Sequence, residues 1–381
     1  MPRAVAAVKR VVLVARQLAH GGAERQVVAL ARELGARGVD VHLLVFYSGG
    51  AFDAELVAAG IALHCLDKQG RWDAAGFIWR FVSTLRRLEP SAVYSFLDVP
   101  NILAVLAWWF VWRPRLVWSI RAAGMEMHHY DWLNRSLPWV EARLSRWADL
   151  TIANSQAGAA WAVRRGFPRD RLCVVENGID TRRFRPDAAG RARLRALWGI
   201  PDGVCLVGLV ARLDPMKDHK GFLHACAALR VVGDEVHFVC VGVGDKGYQG
   251  ELVALAHRLG LEKRMVWAGS QADMAAVHSA IDIACSASAF GEGFSNSIGE
   301  AMACGTPCVV SDVGDSARIV GPFGEVVPPG DAQAMCDAIG RMRGRIRLEP
   351  HLHTEVRMRI ETEFSLERMV TRTEKLLFGD V

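Results

Sequence analysis

No stretch of this 381-residue chain is long and apolar enough to cross a bilayer. The longest, Ile102–Trp112, falls well short of the roughly 20 residues a spanning helix needs. No secretory leader is read either, because the run Val11–Val14 is short and Arg16 and His20 follow it. A soluble or membrane-peripheral protein is therefore expected. The nine cysteines contain no CxxC pair and no zinc-finger spacing, which argues against a disulfide framework and predicts a reduced, cytosolic chain. There is no Walker A loop. There is also no Asp-x-Asp pair of the kind that holds a metal-bound diphosphate. His128, His129 and Asp131 are close in sequence, but adjacent histidines point apart on a helix or a strand, so no metal site is read there. With 51% apolar and 23% charged residues, disorder and fibrous repeats are excluded as well.

What is present is unevenly distributed. Residues 1–177 carry 22 Lys and Arg against 15 Asp and Glu, a balance of +7; residues 178–381 carry 24 against 26, a balance of −2. Ten of the 12 tryptophans also lie in the first part, which points to a half that meets something anionic and greasy.

Both halves read as alternating strands and helices. The first opens with a β-like run, Arg10–Ala15, a Gly21-Gly22 turn, and a helix with Val27, Val28, Leu30, Ala31 and Leu34 on its apolar face. Val41–Phe46 is the next strand, and others follow at Ala62–Leu66, Ala92–Phe96, Leu116–Ile120, Leu150–Ala153 and Leu172–Val175. The alternation restarts at Val204–Val210 and continues to a helix at Ala332–Met342. This is βαβ logic, which implies parallel sheets. The expected fold class is α/β: two Rossmann-like, doubly wound domains facing across a cleft, with the linker near Asn177–Asp180 and the Arg/Pro-rich Arg182–Pro186. The domains are set at 1–177 and at 178–363, with a helix-like run, Leu366–Phe378, after them.

The densest constellation runs from Cys285 to Pro307. A strand ends at Cys285, a Gly-rich loop follows, and a helix begins near Asn296–Ser297. Phe294, Ser295, Asn296 and Ser297 thus put backbone N–H groups and a positive helix end at one spot, suited to an anion. Glu292 and Glu300 flank it. Ser297-Ile298-Gly299-Glu300 also matches a capping box, in which Glu300 would merely satisfy backbone. Glu292, between two glycines, has no such structural task. Arg212 stands just past an apolar strand, where open α/β sheets bind ligands, and Lys217 follows near the next helix; a fork and a point charge suit a diphosphate. Both could equally be solvated surface cations. Gly242, Gly244 and Gly247 complete a GxGxxG after a strand, the dinucleotide fingerprint, although on the second strand of the half. His224, His237 and His278 read as ordinary core or surface side chains.

The combination resembles the family 4 retaining glycosyltransferases of GT-B fold over nearly the whole chain. It is carried by Gly21-Gly22, Glu176-Asn177-Gly178-Ile179-Asp180, Arg212 with Lys217, Gly242 with Gly244, and Glu292 with Glu300. The resemblance implies a nucleotide-diphosphate sugar donor and no metal or other cofactor. Arg212 and Lys217 would neutralise the diphosphate, Glu292 would face the sugar, and Glu300 would hold the ribose hydroxyls. The N–H groups around Phe294–Ser297 would meet sugar or phosphate, and Gly21 and Gly22 would close on the diphosphate. Gly242 becomes the family's ordinary glycine turn, and Leu366–Phe378 resembles the family's carboxy-terminal helix that crosses back to the first domain, which would then include residues from about 364 to 381. Relatives often carry His where Arg121 follows Ile120, so Arg121 would do a related polar job at the sugar or acceptor.

The acceptor side is read from tryptophan and arginine. Asn101–Trp112 is apolar all round, which suits a buried helix, but Trp108, Trp109 and Trp112 beside Arg113 and Arg115 also suit an anionic membrane interface. Trp132–Trp147, with Arg135, Arg143 and Arg146, is a second candidate. The reading is a cytoplasmic enzyme on the inner face of the plasma membrane, passing sugar to a glycan or polyprenyl-linked acceptor in envelope polysaccharide assembly. No nucleic acid is expected, since no aromatic–basic nucleic-acid motif accompanies the charge. The rivals are an NAD-dependent oxidoreductase using Gly242–Gly247, and a non-catalytic module that binds nucleotide sugar or lipid.

Overall fold

The computed structural model describes residues 9–19, 21–70, 73–121, 123, 132–231 and 235–379. His128, His129 and Asp131 lie outside the described residues. The chain divides into two compact units, with crossings at Gly178/Ile179 and again at Ser365/Leu366.

The first unit is built on seven parallel strands: β1 (Arg10–Ala15), β2 (Asp40–Val45), β3 (Ala62–Cys65), β4 (Ala92–Phe96), β5 (Arg115–Ile120), β6 (Leu150–Ala153) and β7 (Leu172–Val174). Their order in the sheet is β3-β2-β1-β4-β5-β6-β7. The near-continuous apolar runs reflect burial on both faces. Along β1, Val11 and Leu13 join one core layer while Val12 and Val14 join the other. The amphipathic helix Leu366–Phe378 supplies Leu366, Met369, Val370 and Leu377 to the first of these layers, although it is last in the chain. Polar ties fix it: Arg372 donates to Glu176 at 2.8 Å and to the Val174 carbonyl at 2.7 Å.

The second unit has six parallel strands: β8 (Cys205–Val210), β9 (Val236–Val241), β10 (Met265–Gly269), β11 (Ile283–Ser286), β12 (Cys308–Ser311) and β13 (Glu325–Val327). Their order is β10-β9-β8-β11-β12-β13. Both sheets therefore reverse direction once, at β1/β4 and at β8/β11, and the crevice past the carboxyl ends of such a pair is where doubly wound sheets take ligands. Arg182–Pro186 packs within this unit, with Phe184 buried in its core. Two helices absent from the sequence reading, Ala188–Leu197 and Leu352–Glu363, complete the layers.

All nine cysteines are free, and six are buried. Burial pushes the thiols up, Cys240 to about 12 and Cys205 to about 11, so these are inert core side chains. Among the described residues, no helix is long and apolar enough to cross a membrane.

Candidate active site

The reversal point of the second sheet brings together the segments that follow β8 and β11. After β8 the chain continues as an extended arm: Ala211 and Leu213 donate to the carbonyls of Val241 and Val243, each at 3.0 Å. It then turns through Pro215–Lys217, closed by the Asp214 carboxylate, which accepts from the Met216 N–H at 3.0 Å. The arm explains the glycines opposite. A Cβ on Gly242 would stand 2.0 Å from the Ala211 carbonyl oxygen, and one on Gly244 would stand 2.1 Å from that of Leu213. Gly242 also has φ +143°, a conformation left to glycine. Both glycines thus let the Arg212 arm lie flat on the β9 turn. The dinucleotide reading of this GxGxxG fails on a second count. The following helix, Lys246–Arg258, is capped by the Asp245 carboxylate, which accepts from the Tyr248 N–H at 3.0 Å. A carboxylate therefore stands where the fingerprint would seat a pyrophosphate.

The segment after β11 is held against this arm. Ala289 donates to the Met216 carbonyl at 2.9 Å, and Ser311 donates to the Ser288 carbonyl at 2.6 Å. Gly314, at φ +63°, lets a neighbouring turn press on the loop, for a Cβ there would meet the carbonyl oxygens of Glu292 and Gly293 at 2.4 and 2.6 Å. So held, buried Glu292 accepts from Ser288 Oγ at 2.8 Å and pairs with Lys217 Nζ. Arg212 lies outside this pair: its side chain is 66% exposed and its Nη2 rests 2.8 Å from Asp214 Oδ2. Neither cation is bare. An incoming anion competes with Asp214 for Arg212, an exposed pair of little worth, and with Glu292 for the less exposed Lys217.

The helix Asn296–Ala303 opens at the same edge, with Ser295 as its cap residue, no side-chain cap hydrogen bond, and Ser295 Oγ 3.3 Å from Ser297 Oγ. Ser297 is therefore inside the helix, which removes the capping-box reading. Glu300 is buried one turn further in, with Oε2 3.5 Å from His278 Nε2. Phe294 is buried in the core, so only its backbone can face a ligand. The fold thus gathers Arg212, Lys217, Glu292, Ser295, Asn296, Ser297 and Glu300 around the switch point of one sheet.

Two family models match on either side of the division: "Glycosyltransferase Family 4" over residues 20–183 and "Glycosyl transferases group 1" over residues 205–344. The chain belongs to the glycosyltransferases. A Bacillus subtilis chain named as the glycosyltransferase EpsF is 26% identical over 308 residues, 80% of this chain and 79% of that one. The D-inositol 3-phosphate glycosyltransferase of Salinispora tropica is 32% identical over 212 residues; the match covers 51% of this chain and 44% of that relative, less than half its length. Among solved structures, Anabaena HepE in complex with UDP-glucose superposes with a TM-score of 0.86 at 24% identity, over 97% of this chain and 99% of that one. Sucrose-phosphate synthase from Thermosynechococcus elongatus gives 0.81 at 20%, over 97% and 98%. At these identities the structures speak for the GT-B fold alone.

In the first unit of this glycosyltransferase, Gly21 and Gly22 stand after β1, also at a switch point. Gly21 caps the helix Gly22–Ala36, and the Glu24 carboxylate folds back into the space a Cβ on Gly21 would fill, 2.1 Å away. From the same helix, Gln26 exchanges two hydrogen bonds with the Gly178 backbone, at 2.9 and 3.1 Å. Arg121 follows β5. It donates to Ser119 Oγ at 2.6 Å and Asn177 Oδ1 at 2.8 Å, and stacks 4.8 Å over the Phe96 ring. Burial pulls its guanidinium below the ordinary value, opposed by Tyr94. Its partners are neutral, so it is a cation held by dipoles and a ring face rather than by a described carboxylate.

The apolar run of the enzyme is not wholly buried. The helix is Asp98–Trp108, with Asn101, Ala104, Val105 and Ala107 inward. The turn beyond it leaves Trp109, Phe110 and Trp112 52%, 59% and 81% exposed. The Arg113 guanidinium stacks over Trp108 and Trp109 at 5.0 and 5.4 Å. Sequence reasoning missed Asp214 and Ser288 as partners within the site, and the approach of the buried His278 ring to Glu300. The first two lie within a few residues of recognised positions, but His278 is 22 residues from Glu300 (300 − 278) and is joined to it only by the fold.

Proposed function

We propose that the enzyme moves a sugar from a UDP- or GDP-sugar to a glycan or polyprenyl-linked acceptor in cell-envelope polysaccharide assembly, as a retaining, metal-independent hexosyltransferase. The observation that carries this reading is the convergence of Lys217 and Arg212 from one side of the β8/β11 switch point with Glu292 and Glu300 from the other. In this scheme the diphosphate draws Arg212 from Asp214 and Lys217 from Glu292, which frees Glu292 for sugar hydroxyls. The bond from the anomeric carbon to the phosphate oxygen breaks, and the acceptor oxygen bonds to the same face of that carbon. The acceptor proton passes to the leaving phosphate oxygen. Lys217, Arg212 and the first turn of Asn296–Ala303 stabilise the negative charge that develops there. Glu300 takes the ribose hydroxyls, and Gly21, Gly22 and Arg121 are assigned to donor binding as well. UDP-glucose in the HepE complex supports a nucleotide-sugar donor.

Thermal unfolding with UDP, GDP and NAD tests the donor class. One of the nucleoside diphosphates should raise Tm in proportion to RT ln(1 + [L]/Kd), and NAD should not. Stabilisation by NAD alone would overturn the reading. An unchanged transfer rate in EDTA and an NMR assignment of the product anomer test metal independence and retention.

The Trp109–Arg113 turn supports a peripheral contact with an anionic membrane, consistent with a cytoplasmic enzyme at the inner face of the plasma membrane. Aromatic rings exposed beside a guanidinium match the chemistry of a lipid headgroup region. The intact enzyme should sediment with anionic liposomes, and a Trp109→Ala/Trp112→Ala variant should not. Equal sedimentation of the two would count against it.

A further inference from the structure

His278 has no part in the scheme above, yet its surroundings are unusual for an imidazole. It is 0% exposed on the helix Met274–Ala280, and neither ring nitrogen has a hydrogen-bond partner. Its backbone is fixed by Thr306 Oγ1, which donates to the His278 carbonyl at 2.8 Å, and its ring packs edge-on against Phe184 at 6.2 Å. The ring therefore has little room to turn away. Buried polar nitrogens without partners are rare because the lost hydration is not replaced. The carboxylate in reach is that of Glu300, whose Oε2 lies 3.5 Å from Nε2.

We propose that His278 is a positioning residue for Glu300. Its Nε2–H donates to Oε2 when the site binds nucleotide, and thereby sets the direction from which the carboxylate accepts the two ribose hydroxyls. A carboxylate gripped at one oxygen presents its other lone pairs at fixed angles. This inference rests on the ribose role proposed for Glu300, and the experiment separates the two.

The affinity of the intact enzyme is measured for whichever of UDP and GDP it binds, and for the 2′,3′-dideoxy counterpart. The ratio of the two is the ribose preference. In His278→Phe that preference should fall about tenfold, the scale of one hydrogen bond to a charged group. In His278→Gln, whose side-chain amide reaches the Nε2 position, most of it should return. His278→Asn, whose amide reaches only the Nδ1 position, should resemble the phenylalanine variant. The glutamine and asparagine variants have similar polarity, so their contrast reads position rather than packing, even where His278→Phe folds poorly. Equal preferences in the glutamine and asparagine variants, or a wild-type preference in His278→Phe, would overturn the positioning role. A wild-type enzyme with no ribose preference would instead overturn the assignment of Glu300.

Discussion

Acidifying the enzyme from about pH 7.5 to about pH 5 should cost the second unit about 2 kcal/mol through His219 alone. This ring opens the helix His219–Val231, two residues after Lys217. It is fully buried, and neither nitrogen has a partner. Burial pushes it down to about 4 from the ordinary 6.5, Lys217 adds to the fall, and Asp214 opposes it. A depressed histidine resists the proton in the folded state while the unfolded chain accepts it. The associated stability is therefore complete above 6.5 and erodes as pH falls toward 4. With both values inserted, the unfolded chain gains about 2 kcal/mol of proton-binding free energy over the folded one near pH 5. Hydrogen exchange read on peptides from the helix, and corrected for intrinsic rates, reports the opening free energy at each pH. Other groups titrate as well, so the quantity to compare is the acid-induced loss in the wild type against that in His219→Phe, which cannot take the proton. The wild-type loss should exceed the variant's by about 2 kcal/mol. Equal losses would refute the reasoning. Because Lys217 is carried by the turn just before this helix, nucleotide affinity should weaken over the same interval.

Three further outcomes follow from contacts already described. Gly242→Ala forces a Cβ against the Ala211 carbonyl in a strained backbone conformation, and should cost about 3 kcal/mol or more, seen as a lowered Tm or insoluble protein. Glu292→Gln should retain nucleotide binding by isothermal calorimetry while transfer falls at least about 100-fold, because Lys217 loses its carboxylate partner and, in the proposed scheme, the sugar does too. Leu377→Ala, in the last helix, should destabilise the first unit by about 3 kcal/mol in urea unfolding, with the second unit unchanged.

Much of the fold was legible because a buried parallel strand announces itself as a short apolar run. Twelve of the thirteen strands coincide with such runs to within a residue or two. The exception, Glu325–Val327, is a three-residue edge strand with Val326 turned to solvent, too short for periodicity to register. The helices Ala188–Leu197 and Leu352–Glu363 are dense in charge, and their apolar stripes are narrow. At the site, Arg212, Lys217, Glu292 and Glu300 were readable as chemistry at the ends of predicted strands. What could not be read was which carboxylate each cation meets: that depends on the Arg212 arm running along Gly242 and Gly244. The capping box failed because the loop enters the helix two residues earlier than Ser297 requires. His278 could not be found at all, since its role depends on a neighbour that only tertiary packing supplies.

The last helix of the chain has a consequence for how the protein is made. Leu366–Phe378 closes one core layer of the first unit, so residues up to 178 leave the ribosome without the piece that seals Val11, Leu13, Leu30 and Leu34 on that face. The six strands of the second unit all fall between Ile179 and Ser365, so its sheet can complete itself as that stretch emerges. Order of synthesis and order of completion are thus inverted. The amino-terminal half waits, with an apolar face open to chaperones, until Leu366–Phe378 has emerged, and a message cut just before that helix would yield a finished second unit tethered to an unfinished first.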